Sequence, residues 1–260
     1  MIVWQILIFI IGLVFGSFLN VVIFRLAKKH SFLKGRSYCP KCNHRLEAGD
    51  LIPLFSFIFQ KGKCRYCKKK ISLVYPLVEL ATGLAFLLIF INLGFSLKFF
   101  IYLVYACFLI IIFVYDLRYN LILDKVTVPA MILAILADIM LKVPFFSVLF
   151  GVIIGGGFFF IQFAASRGRW IGGGDIRLGV LMGLILGYEK MIAALAIAYL
   201  VGALVALFLL VTKKKKLRSK LPFGTFLTLS TLIVLLYGNQ IIDWYLSGAL
   251  VDWYLLREYH

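Results

Sequence analysis

Residues 99–115 read FFIYLVYACFLIIIFVY, an unbroken apolar run without a charged side chain, and Asp116 ends it. As a helix rising ~1.5 Å per residue, this run nearly matches the ~30 Å of hydrocarbon in a bilayer. Similar stretches lie on either side, at 2–24, 73–93, 126–141, 146–165, 176–188, 191–211 and 221–238. Composition points the same way: 63% of the 260 residues are hydrophobic, only 15% are charged, and the mean hydropathy is +1.02. A soluble domain needs more polar surface than that. The fold class expected is an all-α polytopic membrane protein with about eight transmembrane helices. Segment 2–24 has no basic stretch before it, is followed by Arg25, Lys28 and Lys29, and lacks a small-residue cleavage pattern. It reads as a retained span and not as a signal peptide.

The formal charge of +17 would suit a nucleic-acid binder, but its distribution argues otherwise. With the N-terminus outside, 24 of the 28 Lys and Arg residues fall in the inner loops, spread over 25–72, 116–125, 166–175 (with Arg177 just beyond) and 212–220. That asymmetry is what membrane topology demands, so a lipid bilayer and no nucleic acid is the partner expected. The run Lys213–Lys216 could in addition meet anionic headgroups. Glycines four residues apart, Gly12/Gly16, Gly151/Gly155 and Gly179/Gly183/Gly187, predict close helix–helix packing in lipid. The chain then divides into a first span (1–24), a cytoplasmic loop domain (25–72), a helical membrane domain (73–238) and an extracytoplasmic tail (239–260).

The loop domain lies between the first two spans and carries Cys39-Pro40-Lys41-Cys42 and Cys64-Arg65-Tyr66-Cys67. Two C-x-x-C turns offer four thiolates, a closed tetrahedral set for structural zinc. A pair of disulfides or a redox couple is the alternative, and a reducing cytoplasm disfavours stable disulfides. His44 is left out because four sulfurs suffice, and Cys107 reads as a small side chain buried in a span. A loop this short buries little core, so the metal is expected to fold it.

Of the 11 acidic residues, Glu47 and Asp50 lie among the loop's cations, while Asp138, Glu189, Asp243, Asp252 and Glu258 fall toward the outer face as solvated groups. Glu79, Asp116, Asp124 and Asp175 remain near the inner face. Asp116 ends the third span, and Asp175 follows Gly172-Gly173-Gly174. The span after Asp175 is short, about 20 Å at ~1.5 Å per residue, which would set Asp175 in a recess where an ionisable group is costly and usually functional. Gly172 and Gly174 would let the backbone approach a bound peptide. Two facing carboxylates that share a proton can perform aspartic-protease chemistry. Spacing alone equally allows each Asp to cap a helix or to pair with Arg118 or Arg177.

The ordered motifs Gly16-Ser17-Phe18-Leu19-Asn20-Val21-Val22 with Arg25, Asp50-Leu51-Ile52-Pro53-Leu54 between the cysteine pairs, Ile71-Ser72, Tyr75-Pro76-Leu77-Val78-Glu79, Asp116 with Asp124 and Pro129, Gly172-x-Gly174-Asp175 with Arg177-Leu178, and Lys220-Leu221-Pro222-Phe223-Gly224 resemble the prepilin peptidase (type IV leader peptidase) family over residues 11–228. That resemblance implies a GxGD-type aspartic endopeptidase of the bacterial inner membrane with Asp116 and Asp175 as catalytic pair. It implies zinc on Cys39, Cys42, Cys64 and Cys67, and type IV prepilin or pseudopilin precursors as substrates. It also implies N-methylation of the new N-terminus from S-adenosylmethionine. Glu79 is a candidate for binding a cationic or amine group of the substrate. The chain departs from the family pattern at Trp170-Ile171 for Gly-Met, Arg177 for Lys and Thr225 for Pro. A proton- or ion-coupled transporter using Asp116 and Asp175 is the main alternative, and an assembly scaffold built on the cysteine loop is a third.

Overall fold

The structure, a computed structural model, describes residues 1–28, 35–213 and 221–257, with side chains described to residue 247. Among the described residues it contains helices and no strands: α1 (Ile2–Ala27), α2 (Phe55–Phe59), α3 (Val74–Leu93), α4 (Leu97–Tyr119), α5 (Asp124–Leu141), α6 (Phe145–Ser166), α7 (Gly173–Val211) and α8 (Phe223–Arg257). Six of them, α1, α3, α4, α6, α7 and α8, are long and apolar enough to cross a membrane. The 18 residues of α5 include Asp124, Lys125 and Asp138, which keep it out of that set. Phe160, Ile161, Leu204 and Phe208 are each more than half exposed, apolar faces of the kind lipid covers. Two compact units divide the chain, Met1–Val114 and Tyr115–His260.

In the N-terminal unit α1 packs on α3 through its glycines. A Cβ added at Gly12 would lie 2.8 Å from Gly83 Cα, and one at Gly16 would lie 2.6 Å from Glu79 Cα. Asn20 Nδ2 donates to the Tyr75 carbonyl (2.9 Å), tying α1 to the first turn of α3. Of the acidic residues of the loop, Asp50 bonds neutral side chains and Glu47 keeps an exposed contact with a cation. Asp50 accepts from Gln60 Nε2 (3.0 Å) and Tyr66 Oη (3.2 Å), and Glu47 lies 3.8 Å from Arg65.

In the C-terminal unit α6, α7 and α8 pack side by side, with α5 against α7. The sixth and seventh spans are joined without the loop expected at residues 189–190. The direction changes at Gly187, whose φ of 69° and ψ of 179° break the helix. The reversal follows from packing: a Cβ at Gly155 would touch both the Gly179 backbone and the Met191 Cε (2.6 Å). Residues twelve apart in a straight helix would be about 18 Å from each other. Glycine is needed at position 187 because an L side chain rarely adopts this φ. The predicted glycine seam is present, since a Cβ at Gly151 would sit 2.6 Å from Gly183 O and one at Gly179 would sit 2.5 Å from Gly155 O. Gly155→Leu is therefore expected to destabilise the protein by about 1–3 kcal/mol or more through overpacking, read as a lower unfolding midpoint in detergent.

From Asn239 on the chain continues α8 as helix to Arg257. One expectation is corrected here. Asp138, assigned to the solvated outer face, has Oδ2 buried without a hydrogen-bond partner. Of the basic run Lys213–Lys216, only Lys213 belongs to the described residues.

Candidate active site

Asp116 occupies the last turns of α4 and is 4% exposed. Its carboxylate meets the first turn of α8, where the leading N–H groups of a helix have no partner within it. Thr225 N–H donates to Asp116 Oδ2 at 3.0 Å, and Gly224 N–H donates to the same carboxylate. A carboxylate at a helix N-terminus gains from both the N–H groups and the helix dipole. Gly224 also makes room for it, because a Cβ there would lie 2.9 Å from Asp116 Oδ2. Gly224→Ala is accordingly expected to push the carboxylate aside and slow the reaction by about 10²-fold, measured as turnover with folding checked by gel filtration.

Asp175 lies in the first turn of α7 and is held by its own backbone. Gly172 N–H donates to Asp175 Oδ2 at 3.0 Å, and Asp175 N–H donates to Gly172 O at 3.1 Å. Asp175 is close enough to Asp116 for its charge to act on that carboxyl. Ile122, in the link before α5, lies between the two backbones: a Cβ at Gly174 would be 3.0 Å from Ile122 Cβ, and one at Gly224 would be 3.1 Å from Ile122 Cδ1. The missing side chain of Gly174 thus makes space for Ile122. Tyr199, on the returning arm of α7, feels the Asp175 charge, and its hydroxyl exchanges hydrogen bonds with Gln162 (3.0 and 3.2 Å). Arg177 forms an ion pair with Asp124. So both aspartates meet helix N-termini, Asp116 that of α8 and Asp175 that of its own helix, and the charge of Asp175 reaches the Asp116 carboxyl.

Sequence reasoning missed Gly224, Thr225 and Ile122 as neighbours of the pair. Thr225 was noticed only as a departure from the family pattern. Its backbone N–H is one that a proline would lack.

The four cysteines gather in the N-terminal unit, with every pair of sulfur atoms within 4.8 Å. Cys39 Sγ and Cys67 Sγ are 4.0 Å apart, near the edge of about 3.8 Å that a tetrahedron of Zn–S bonds requires. The two turns share one backbone pattern. Cys39 N–H donates to His44 O and Asn43 N–H to Cys39 O, while Cys64 N–H donates to Lys69 O and Lys68 N–H to Cys64 O, all at 2.9 Å. Asn43 and Lys68 both take positive φ. Burial alone would raise the Cys39 thiol, but N–H groups of Lys41 and Cys42 and neighbouring sulfurs outweigh it and bring it to about 7. At Cys42 the His44 N–H acts downward, yet desolvation and the sulfurs of Cys39 and Cys67 push it up to about 11. Four sulfurs this close can hold a soft cation such as zinc. His44 instead faces the Tyr66 ring, with centroids 3.6 Å apart.

Glu79, also in the N-terminal unit, is 9% exposed. It accepts hydrogen bonds from Leu54 N–H (2.9 Å) and the Ser17 hydroxyl.

Comparison with known proteins places this arrangement. Residues 10–93 match the Bacterial Peptidase A24 N-terminal domain, and residues 103–207 match the Type IV leader peptidase family. A Bacillus subtilis (strain 168) protein named Prepilin leader peptidase/N-methyltransferase is 36% identical, covering 94% of this chain and 98% of its own length. Proteins of the same name from Xanthomonas campestris pv. campestris (31%; 92% and 93% covered) and Aeromonas salmonicida (strain A449) (30%; 94% of each) are also similar. No solved structure matches the chain. Nothing in these matches supports a transporter. With identity above 30% over nearly its whole length, the chain belongs to the type IV leader peptidase family.

Proposed function

We propose that this protein removes the basic leader of type IV prepilin or pseudopilin precursors and methylates the N-terminus it exposes. The observation that carries the first activity is the pairing of Asp116 and Asp175 at two helix N-termini, with their charges in reach of each other. One carboxylate, ionised, takes a proton from the attacking water, and the other, protonated, gives one to the scissile carbonyl oxygen. Mutual repulsion keeps the second proton in place, so the pair titrates as a unit. Gly172 leaves the backbone beside Asp175 open to a passing peptide, while Gly174 serves the site by making room for Ile122.

A substrate whose apolar helix is in the bilayer and whose basic leader stays inside suits such a site. The excess of Lys and Arg in alternate loops supports an inner-membrane orientation with the N-terminus outside and the cysteine loop and aspartates facing the cytoplasm. The names of the relatives support the second activity, for which S-adenosylmethionine would supply the methyl group. Zinc on Cys39, Cys42, Cys64 and Cys67 would be structural, since four protein sulfurs leave no open position.

Intact-mass spectrometry of a co-expressed prepilin tests both activities at once. The reading expects a product shortened by the leader and heavier by one methyl group. Uncleaved precursor in membranes containing folded protein would refute it.

A further inference from the structure

The N-terminal unit contains a cavity of about 160 Å³ between the cysteine loop and the inner ends of α1 and α3. Its walls are mostly apolar and aromatic, with Phe24, Tyr38, Phe57 and Tyr75 among them. Glu79 lines it too, and this carboxylate is 9% exposed. A carboxylate has about four lone-pair sites, and the Leu54 N–H and Ser17 hydroxyl occupy two of them. Asn20 lines the same space, with its amide N–H₂ donating to Tyr75 O, which leaves its oxygen as a further acceptor. Arg25, also in the wall, directs its guanidinium at the carbonyls of Gly35 and Arg36.

Acceptor groups inside an aromatic box select a cation that carries an apolar group. Burying a carboxylate without a charged partner is costly, and an ammonium ion is the partner these groups best satisfy. Size narrows the choice. Small-molecule sites usually measure about 300–1,000 Å³, so this cavity does not fit S-adenosylmethionine as a whole and we do not place it there. It has room for one apolar or aromatic side chain and the amine beside it.

We propose that this cavity binds the free α-amine and adjoining side chain of the residue that becomes N-terminal after leader removal, with Glu79 as counter-charge. The assignment rests on the methylating activity proposed above. At that position Glu79 can hold the ammonium and accept one of its protons onto the carboxylate, leaving the nitrogen lone pair as nucleophile. The methyl acceptor would then be handled by residues of the N-terminal unit, separate from the aspartates that cut.

The full-length protein in lipid nanodiscs, titrated with phenylalaninamide and with N-acetylphenylalaninamide, tests this by calorimetry. The free amine should bind at least tenfold more tightly than the acetylated probe, and Glu79→Gln should remove that difference. Val21→Phe, which narrows the cavity from its α1 wall, should weaken the amine at least tenfold and decides the matter if Glu79→Gln does not fold. Equal binding of the two probes, or a folded variant that binds as wild type does, overturns the proposal. Product masses distinguish failure of methylation from failure of the amine site. A wild type that cleaves but never methylates when given S-adenosylmethionine refutes the methylating reading. A wild type that methylates, together with a Glu79→Gln protein whose methylated share of cleaved product is equal, refutes only the amine site.

Discussion

Asp116→Asn and Asp175→Asn are each expected to slow leader cleavage by about 10³-fold, within the range for loss of a general acid or base. Asparagine is nearly isosteric and keeps an acceptor oxygen for the N–H groups of Gly224 and Thr225, or of Gly172. Folding should therefore survive, with a stability change of about 1 kcal/mol or less. What asparagine lacks is a proton that can be taken or given at the carboxyl. Cleavage rates in detergent, beside matched gel-filtration profiles, separate lost chemistry from lost structure. A variant that cleaves at the wild-type rate would remove its aspartate from the mechanism.

The second large effect concerns the cysteine cluster. Structural zinc binds zinc-finger peptides with an apparent ~10–16 kcal/mol that is also their folding energy. Besides a metal, the loop is held by scattered polar contacts, among them Leu54 N–H to Glu79 and Asp50 with Gln60 and Tyr66. Its short 3-10 helix (Ala48–Leu51) and α2 contain no buried residue, and its two cysteine turns are closed by a few backbone hydrogen bonds. Elemental analysis is expected to find about one zinc per chain, as a four-sulfur site requires. Substituting Cys39 and Cys42 with Ser should abolish it and make the segment between Ser37 and Ser72 sensitive to protease. Methylation should fall with it, because Tyr38, Phe57 and Gln60 of this segment line the Glu79 cavity. A zinc-free double variant that resists protease as wild type does would show that hydrogen bonds alone hold the loop.

Much of this was readable because lipid imposes simple rules. Apolar length marked the spans, and small residues four apart announced the α6–α7 seam. What stayed hidden depends on contacts between distant residues or on single backbone angles. The N–H donors to Asp116 come from Thr225, 109 residues away, and from Gly224. No local pattern joins them to Asp116. Gly187 was seen as one of a packing series, yet its positive φ is what turns the chain, and an apolar profile does not report a dihedral angle. The kinship of the two cysteine turns lies in backbone hydrogen bonds and in the matching φ of Asn43 and Lys68, residues of unlike chemistry. Arg177 offered itself as a partner for Asp175, but the start of α5 brings Asp124 to it instead.

If the two aspartates work as one unit, the double variant Asp116→Asn/Asp175→Asn shows it most directly. Residues that act as a unit are strongly non-additive. Measured on one prepilin under single-turnover conditions, the double variant should cleave at the rate of either single variant, about 10³-fold below wild type. A further drop of about 10²-fold or more in the double variant, as independent contributions would give, would contradict the shared-proton pair.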